Sequence, residues 1–494
     1  MSALVRDPDV VRAFLSDAAH VPGGVSPGVV FPASVDDVVE AVRANDTVLP
    51  VGARSSLTGG ATPRGEVVLS TRELMSIAID PQDLVVHAGA GVTLHDLQAA
   101  LARHGLWFPP VPTFDGATVG GVVSTNAAGA ATFKYGTTRS WVRGLTAVLA
   151  DGRVLSVARG DRVAQDGRVT IDGEATAVPL PAYVPPDVPK LSAGYYASHD
   201  ADLIDVLVGS EGTLAVIVNA TLTVAPRPSR AVVLVTCEGD AQACALTAAL
   251  RASAQRAWRG GAGLDVAAVE YMDGRSLAVL TDADFARAGV TRPSGERSLL
   301  LLQIEAGAND TAWTDALADT LAASGIEHDP MLAPPGDETG AARLFELREA
   351  VPAAVNAAVA RAKALDEDVQ KTAGDFIVPF ARLRESIALY RRVFEARGLD
   401  YALWGHASDG NLHPNVIVRN RDDVVRGREA LLEAARAVIA MGGSPLAEHG
   451  VGRNPLKQQL LREMYGDEGV EQMRAVKRAF DPTWKLAPGV LFPA

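Results

Sequence analysis

Apolar residues alternate between two rhythms over the first 156 positions. Short apolar runs at 48–51, 67–69 and 84–87 read as strands, the first closing on Gly52. Between them, 35–43 and 94–104 carry apolar residues at helical spacing. Ser34 and Thr93 stand at the N-cap positions, and Asp36 and Asp37 fall in the first turn. Residues 145–149 and 154–155 flank Asp151-Gly152 and read as a hairpin. Strands and helices interleaved in this way predict a mixed α/β unit.

From 157 to 190 the pattern dissolves into a polar and then Pro-rich excursion, with Pro179, Pro181, Pro185, Pro186 and Pro189. Sheet-like sequence resumes at Leu203, and 214–224 is a strong strand. Pro226-Arg227-Pro228 is the clearest boundary. Beyond it, strands are expected at 231–236, 299–304 and 377–379. Helices are expected at 241–257, 311–323 (capped by Asp310), 341–363, 382–397 and from about 427. The division predicted is 1–228, 229–440 and a C-terminal segment, 441–494.

Bulk properties narrow the class. The chain has 494 residues, 48% apolar and 21% charged, which fits two or three folding units. A net charge of −13 without a basic block argues against nucleic acid as a partner. Apolar stretches are broken well before the ~18 residues a membrane span needs, and the start of the chain lacks a signal-peptide pattern. Cys237 and Cys244 are the two cysteines, with no CxxC spacing, and are expected as buried small hydrophobes in a reducing cytoplasm.

Three glycine-rich segments carry candidate chemistry. The first, 50–61, follows a strand with Gly, Ser and Thr able to offer backbone N–H and hydroxyl groups to phosphate. The second, 109–129, is long, small-residue-rich and nearly uncharged, unlike an ordinary surface loop, and lets a large planar ligand approach closely. The third, 208–214, enters the long strand. None is a GxGxxG turn between strand and helix, so a Rossmann nicotinamide site is disfavoured.

The stretch Gly405-His406-Ala407-Ser408-Asp409-Gly410-Asn411-Leu412-His413 reads as a hairpin with Asp409-Gly410 at its tip. That register pairs His406 with His413 on one face, where two imidazoles can chelate a divalent metal. Glu448-His449 supplies a third ligand and a free base, provided the backbone bends there; Gly450 and Gly452 permit the bend. His406, His413 and Glu448 are the expected ligands of Zn²⁺, Mn²⁺ or Fe²⁺, and His449 the catalytic base. Asn415 shares the face of His413 and is a substrate contact.

Taken in order, these segments resemble the flavoprotein oxidases and dehydrogenases with a vanillyl-alcohol-oxidase (PCMH) type FAD domain, and within them the D-2-hydroxy acid dehydrogenases acting on D-lactate, glycolate or D-2-hydroxyglutarate. The resemblance runs from about Val30 to Phe492 and includes 473–482 as a closing helix. It implies an α+β fold: a two-subdomain FAD-binding domain plus an α+β cap with an antiparallel sheet. It places noncovalent FAD against Gly52, Ala53, Arg54, Ser55, Ser56, Leu57 and Thr58, then Pro112, Thr113, Gly116, Ala117, Thr118, Gly120, Gly121, Asn126 and Gly129, then Tyr135, Gly136, Glu211, Gly212 and Thr213. His87 and His95 stay open as covalent attachment points. Arg348 and Lys371 match positions that bind the substrate carboxylate.

Two departures stand out: Ala53-Arg54-Ser55-Ser56 where the family is richer in glycine, and Ala487 where it has Asn before Pro-Gly. The implied reaction is oxidation of a 2-hydroxy acid to the 2-oxo acid, with hydride passing to flavin N5. Electrons then go to a quinone, a cytochrome, an electron-transfer flavoprotein or oxygen. A homodimer, and a peripheral position at the inner face of a membrane, are left open. The alternatives are an alkylglycerone-phosphate-synthase-like flavoenzyme and a noncatalytic FAD-binding electron-transfer subunit.

Overall fold

The computed structural model describes residues 3–171, 177–307 and 311–493. The first half builds two sheets. Val29–Val30, Val67–Ser70 and Val48–Val51 form a parallel sheet with Val67–Ser70 in the middle. The second sheet runs Ile77–Asp80, Val85–Gly89, Val216–Thr223, Val142–Val148, Val154–Ala158, antiparallel throughout. The Asp151-Gly152 hairpin is present as expected. Helices Val35–Ala44 and Leu94–Ala102 start where their caps predict: Ser34 accepts the Asp37 N–H and Thr93 accepts the Asp96 N–H.

The second half is organised on an eight-stranded sheet. At its centre Arg230–Cys237, Ser298–Glu305, Val266–Met272 and Tyr401–His406 pair antiparallel. Alternation along the strands sorts the core. Val233, Val235, Leu300 and Leu302 face helix Asp240–Trp258 and its neighbours. Val232, Leu234, Leu299 and Leu301 face Leu344, Leu347 and Val351 of helix Glu338–Leu365. Both faces are covered, so these strands read as continuous apolar runs. Strand Val266–Met272 was not expected, because Glu270 interrupts its apolar run. The Asp310 expected to cap helix Ala312–Ala323 lies outside the described residues.

After the cap, the chain returns. Leu446, Val451, Leu461, Met473, Val476 and Phe480 share one core with Val86, Val123, Leu145 and Leu222. Lys477 ties this tail down. Its buried ammonium donates to the Thr213 carbonyl, to Asp481 Oδ2 at 2.6 Å and to the Leu486 carbonyl at 2.8 Å. Lys477→Met is expected to destabilise the protein by about 3–5 kcal/mol, because Asp481 is left buried and uncompensated. A denaturant midpoint equal to wild type contradicts this.

Candidate active site

The hairpin forms with a different register from the one expected. Tyr401–His406 and Asn411–Val416 pair so that His406 faces Asn411 and Trp404 faces His413. The expected pairing of His406 with His413 is thus corrected by two residues. The cause is Asp409, which is fully buried with its carboxylate 3.1 Å from Lys190, and cannot sit at a solvent-facing tip. Ala407–Asp409 instead wind as a 3₁₀ turn, and Gly410 takes φ +80° against the Val378 carbonyl. A two-residue shift preserves the face, so the His406 and His413 rings still meet, with centroids 5.4 Å apart.

The bend at Glu448-His449 is present and has a clear cause. Asp375 Oδ2 accepts the backbone N–H of both residues at 2.9 Å. Gly450 (φ +75°) and Gly452 (φ +56°) then turn the chain, and the Glu211 carboxylate accepts the Val451 and Gly452 N–H groups, each at 2.8 Å. Both side chains turn inward. Glu448 Oε1 becomes a hub, 3.6 Å from His406 Nε2, 3.4 Å from His413 Nε2 and 3.6 Å from His449 Nε2. Asp375 lies 3.7 Å from His413 Nδ1 and 3.4 Å from His449 Nδ1. Asp375, His413, Glu448 and His449 bring donor atoms within 4.8 Å of one another, and His406 joins them through Glu448.

Two charged groups unassigned in the sequence orient this cluster. Glu270, from the unexpected strand, accepts from His406 Nδ1 and, through Oε2, from Arg348 Nε at 2.7 Å. Lys190, from the Pro-rich excursion, is fully buried and donates to Glu448 Oε2 at 2.8 Å. Burial opposes charging of His406, but Glu270 raises its pKa to about 9. Burial also opposes ionisation of Glu448, yet Lys190 and His406 hold its carboxyl well below the usual range. Burial lowers the pKa of His413 and His449 against the pull of Glu448 and Asp375. Buried His413 Nδ1 and Asn415 Oδ1 have no hydrogen-bond partner among the described residues.

A cavity of about 310 Å³ runs from the glycine-rich loops to this cluster. Of the expected FAD contacts, residues 52–57, Pro112, Thr113, Ala117, Thr118, Gly120, Gly121, Glu211 and Gly212 line it, and at one end so do Glu448 and His449. Thr71, Phe114, Thr125 and Ile217 also line it and were not anticipated.

Thr58, Gly116, Asn126, Gly129, Tyr135, Gly136 and Thr213 are not in the wall. Three of them are engaged elsewhere. Asn126 Oδ1 accepts the Arg139 N–H, Tyr195 and Thr213 share a hydroxyl contact at 2.6 Å, and Tyr135 donates to Glu305 of the cap. His87 and His95 are exposed on Thr221 and Asp115, away from the wall. Ala487 sits at φ +44°, a conformation that suits the family's Asn better than Ala. Arg348 is buried rather than solvated, whereas Lys371 is exposed.

A model of the FAD binding domain matches residues 26–158, and a model of the C-terminal domain of FAD-linked oxidases matches residues 229–491. The chain belongs to the FAD-linked oxidase family. It is an FAD-dependent oxidoreductase. The protein is similar to D-lactate dehydrogenase of Archaeoglobus fulgidus, at 32% identity over 93% of this chain and 90% of that one. It is also similar to glycolate oxidase subunit GlcD of Bacillus subtilis, at 29% identity over 90% and 83%. A third relative is D-2-hydroxyglutarate dehydrogenase of Xanthomonas citri pv. viticola, at 30% identity over 94% and 89%. Among solved structures, an alkyldihydroxyacetonephosphate synthase superposes with a TM-score of 0.62 over 94% of this chain and 77% of its own, at 14% identity, so the fold is shared. Among the described residues no helix is long and apolar enough to cross a membrane.

Proposed function

We propose that this FAD-linked oxidase oxidises a 2-hydroxy acid, of D configuration, to the 2-oxo acid, using a divalent cation held by His406, His413 and Glu448 and His449 as base. One observation carries the reading: Glu448 and His449 line the same cavity as the glycine-rich flavin loops. Substrate lying between them touches both. The three named relatives support the substrate class.

The donor set suits a cation. Two imidazole Nε2 atoms lie 3.4 and 3.6 Å from one carboxylate oxygen, close to the roughly 3.4 Å edge of a tetrahedron with ~2.1 Å metal–ligand bonds. Glu270 fixes the His406 ring from behind, the support that metal-bound imidazoles need. Bound FAD supplies the hydride acceptor, and the cation supplies Lewis acidity at the hydroxyl and carboxylate oxygens.

His449, kept neutral by burial and backed by Asp375, takes the hydroxyl proton. Asn415 Oδ1 is free to orient substrate. Arg348, with Nε bound to Glu270, acts from the neighbouring cavity, and Lys371 contributes a more distant positive charge. The division proposed is an FAD domain at 1–228 completed by 441–494, with a cap at 229–440.

Chelation tests the metal directly. Metal-free protein is expected to reduce its flavin at least ~10²-fold more slowly, with FAD still bound and with recovery on adding Zn²⁺ or Mn²⁺. Rates indifferent to chelation and re-addition contradict the metal.

A further inference from the structure

Beside the flavin cavity lies a second one of about 180 Å³, sharing Thr113 with it and walled in part by His406. FAD-domain residues Trp107, Val111 and Ala131 form one side, and Phe345 and Arg348 of helix Glu338–Leu365 another. At ~30 Å³ each, there is room for roughly six non-hydrogen atoms. That is far more than the methyl group of lactate fills.

The floor is the cap sheet. His406 pairs with Glu270, Glu270 with Leu301, and Gln303 follows two residues along on the same face. Strand spacing of ~4.8 Å and a rise of ~3.4 Å per residue put Gln303 about 12 Å from His406 between Cα atoms. Gln303 is 8% exposed, lines the cavity and has no side-chain hydrogen bond among the described residues. Its amide atoms are not among the fully enclosed ones, so they open on the cavity and offer a polar ligand atom a hydrogen-bond partner.

The cations in the wall each have an acidic neighbour. Arg348 is held by Glu270, which also engages His406, and Arg230 Nη2 lies 3.1 Å from Glu305. Glu349, at the exposed rim, is acidic. With Arg348 assigned to the hydroxy acid's own carboxylate and Arg230 held by Glu305, a second carboxylate finds no further cation in this wall and meets a negative rim.

Resting on the proposed hydroxy acid chemistry, we infer that this cavity is a side-chain subsite selecting 2-hydroxy acids with a long, uncharged side chain that ends in a hydrogen-bonding group facing Gln303. Lactate and glycolate underfill it. A 2-hydroxy dicarboxylate fits by size and fails by charge.

The test is an anaerobic flavin-reduction assay on the FAD- and metal-loaded protein. The probes are D-lactate, D-2-hydroxyhexanoate, D-2-hydroxyglutarate and its uncharged, nearly isosteric 5-amide. The amide is expected to show kcat/KM at least ten-fold above both the dicarboxylate and lactate, and several-fold above the hexanoate. In Gln303→Leu, the amide is expected to fall to the level of the hexanoate through a rise in KM. Lactate or the dicarboxylate matching the amide overturns the subsite while leaving hydroxy acid oxidation intact. An amide preference that survives Gln303→Leu overturns the role of Gln303. Flavin that none of the four reduces overturns the hydroxy acid reading itself.

Discussion

Replacing His449 by Asn is expected to slow flavin reduction by about 10²–10⁴-fold, the usual contribution of a general base, with FAD retained at full stoichiometry. The separation follows from the geometry. The ring closes one end of the large cavity, while the loops proposed to hold FAD, 52–57 and Gly120-Gly121, come from other parts of the chain. Nothing in those loops depends on the imidazole. Its proton-accepting form is maintained by burial, and its position by Asp375, which holds both its backbone N–H and its Nδ1 edge. Flavin bleaching by substrate at the wild-type rate in this variant removes His449 from the chemistry. Loss of FAD together with activity assigns it a structural role instead.

Asp375→Ala is expected to be as damaging by another route. One carboxylate sets the bend that carries both Glu448 and His449, and it also faces the Nδ1 edges of His413 and His449. Without it, two half-buried N–H donors lose their acceptor and Lys457, 3.9 Å away, loses a counter-charge. The expected result is a loss of at least ~10²-fold in flavin reduction, since misplacement by about 1 Å is enough, together with a lower metal content at fixed chelator. Asp375→Asn keeps an oxygen acceptor for the bend and is expected to fall between. Equal metal content and equal rates in both variants contradict the bracing role.

The site was legible in part. Glycine-rich loops, the two histidines flanking Asp409-Gly410, and Glu448-His449 are local signals, because each motif lies within a few residues of itself. Even a wrong register kept His406 and His413 on one face, since a shift of two residues preserves the pleat. What stayed hidden is long-range. Asp375 precedes Glu448 by 73 positions, Glu270 precedes His406 by 136 and Lys190 precedes Glu448 by 258. An isolated acidic or basic residue on a strand or in a Pro-rich stretch looks solvent-facing until the fold buries it. The bond from the Tyr135 hydroxyl to Glu305, 170 positions on, was hidden in the same way. The alternation in the cap strands was readable, but Glu270 broke the apolar run that would have revealed its strand.

The most direct test of the account is an anaerobic titration of the FAD- and metal-loaded protein with D- and L-2-hydroxy acids, following flavin absorbance and 2-oxo acid together. The account predicts complete bleaching by a D-2-hydroxy acid, one 2-oxo acid formed per flavin reduced, and no comparable bleaching by its L enantiomer. Flavin that dithionite reduces but no 2-hydroxy acid of either configuration does would contradict it.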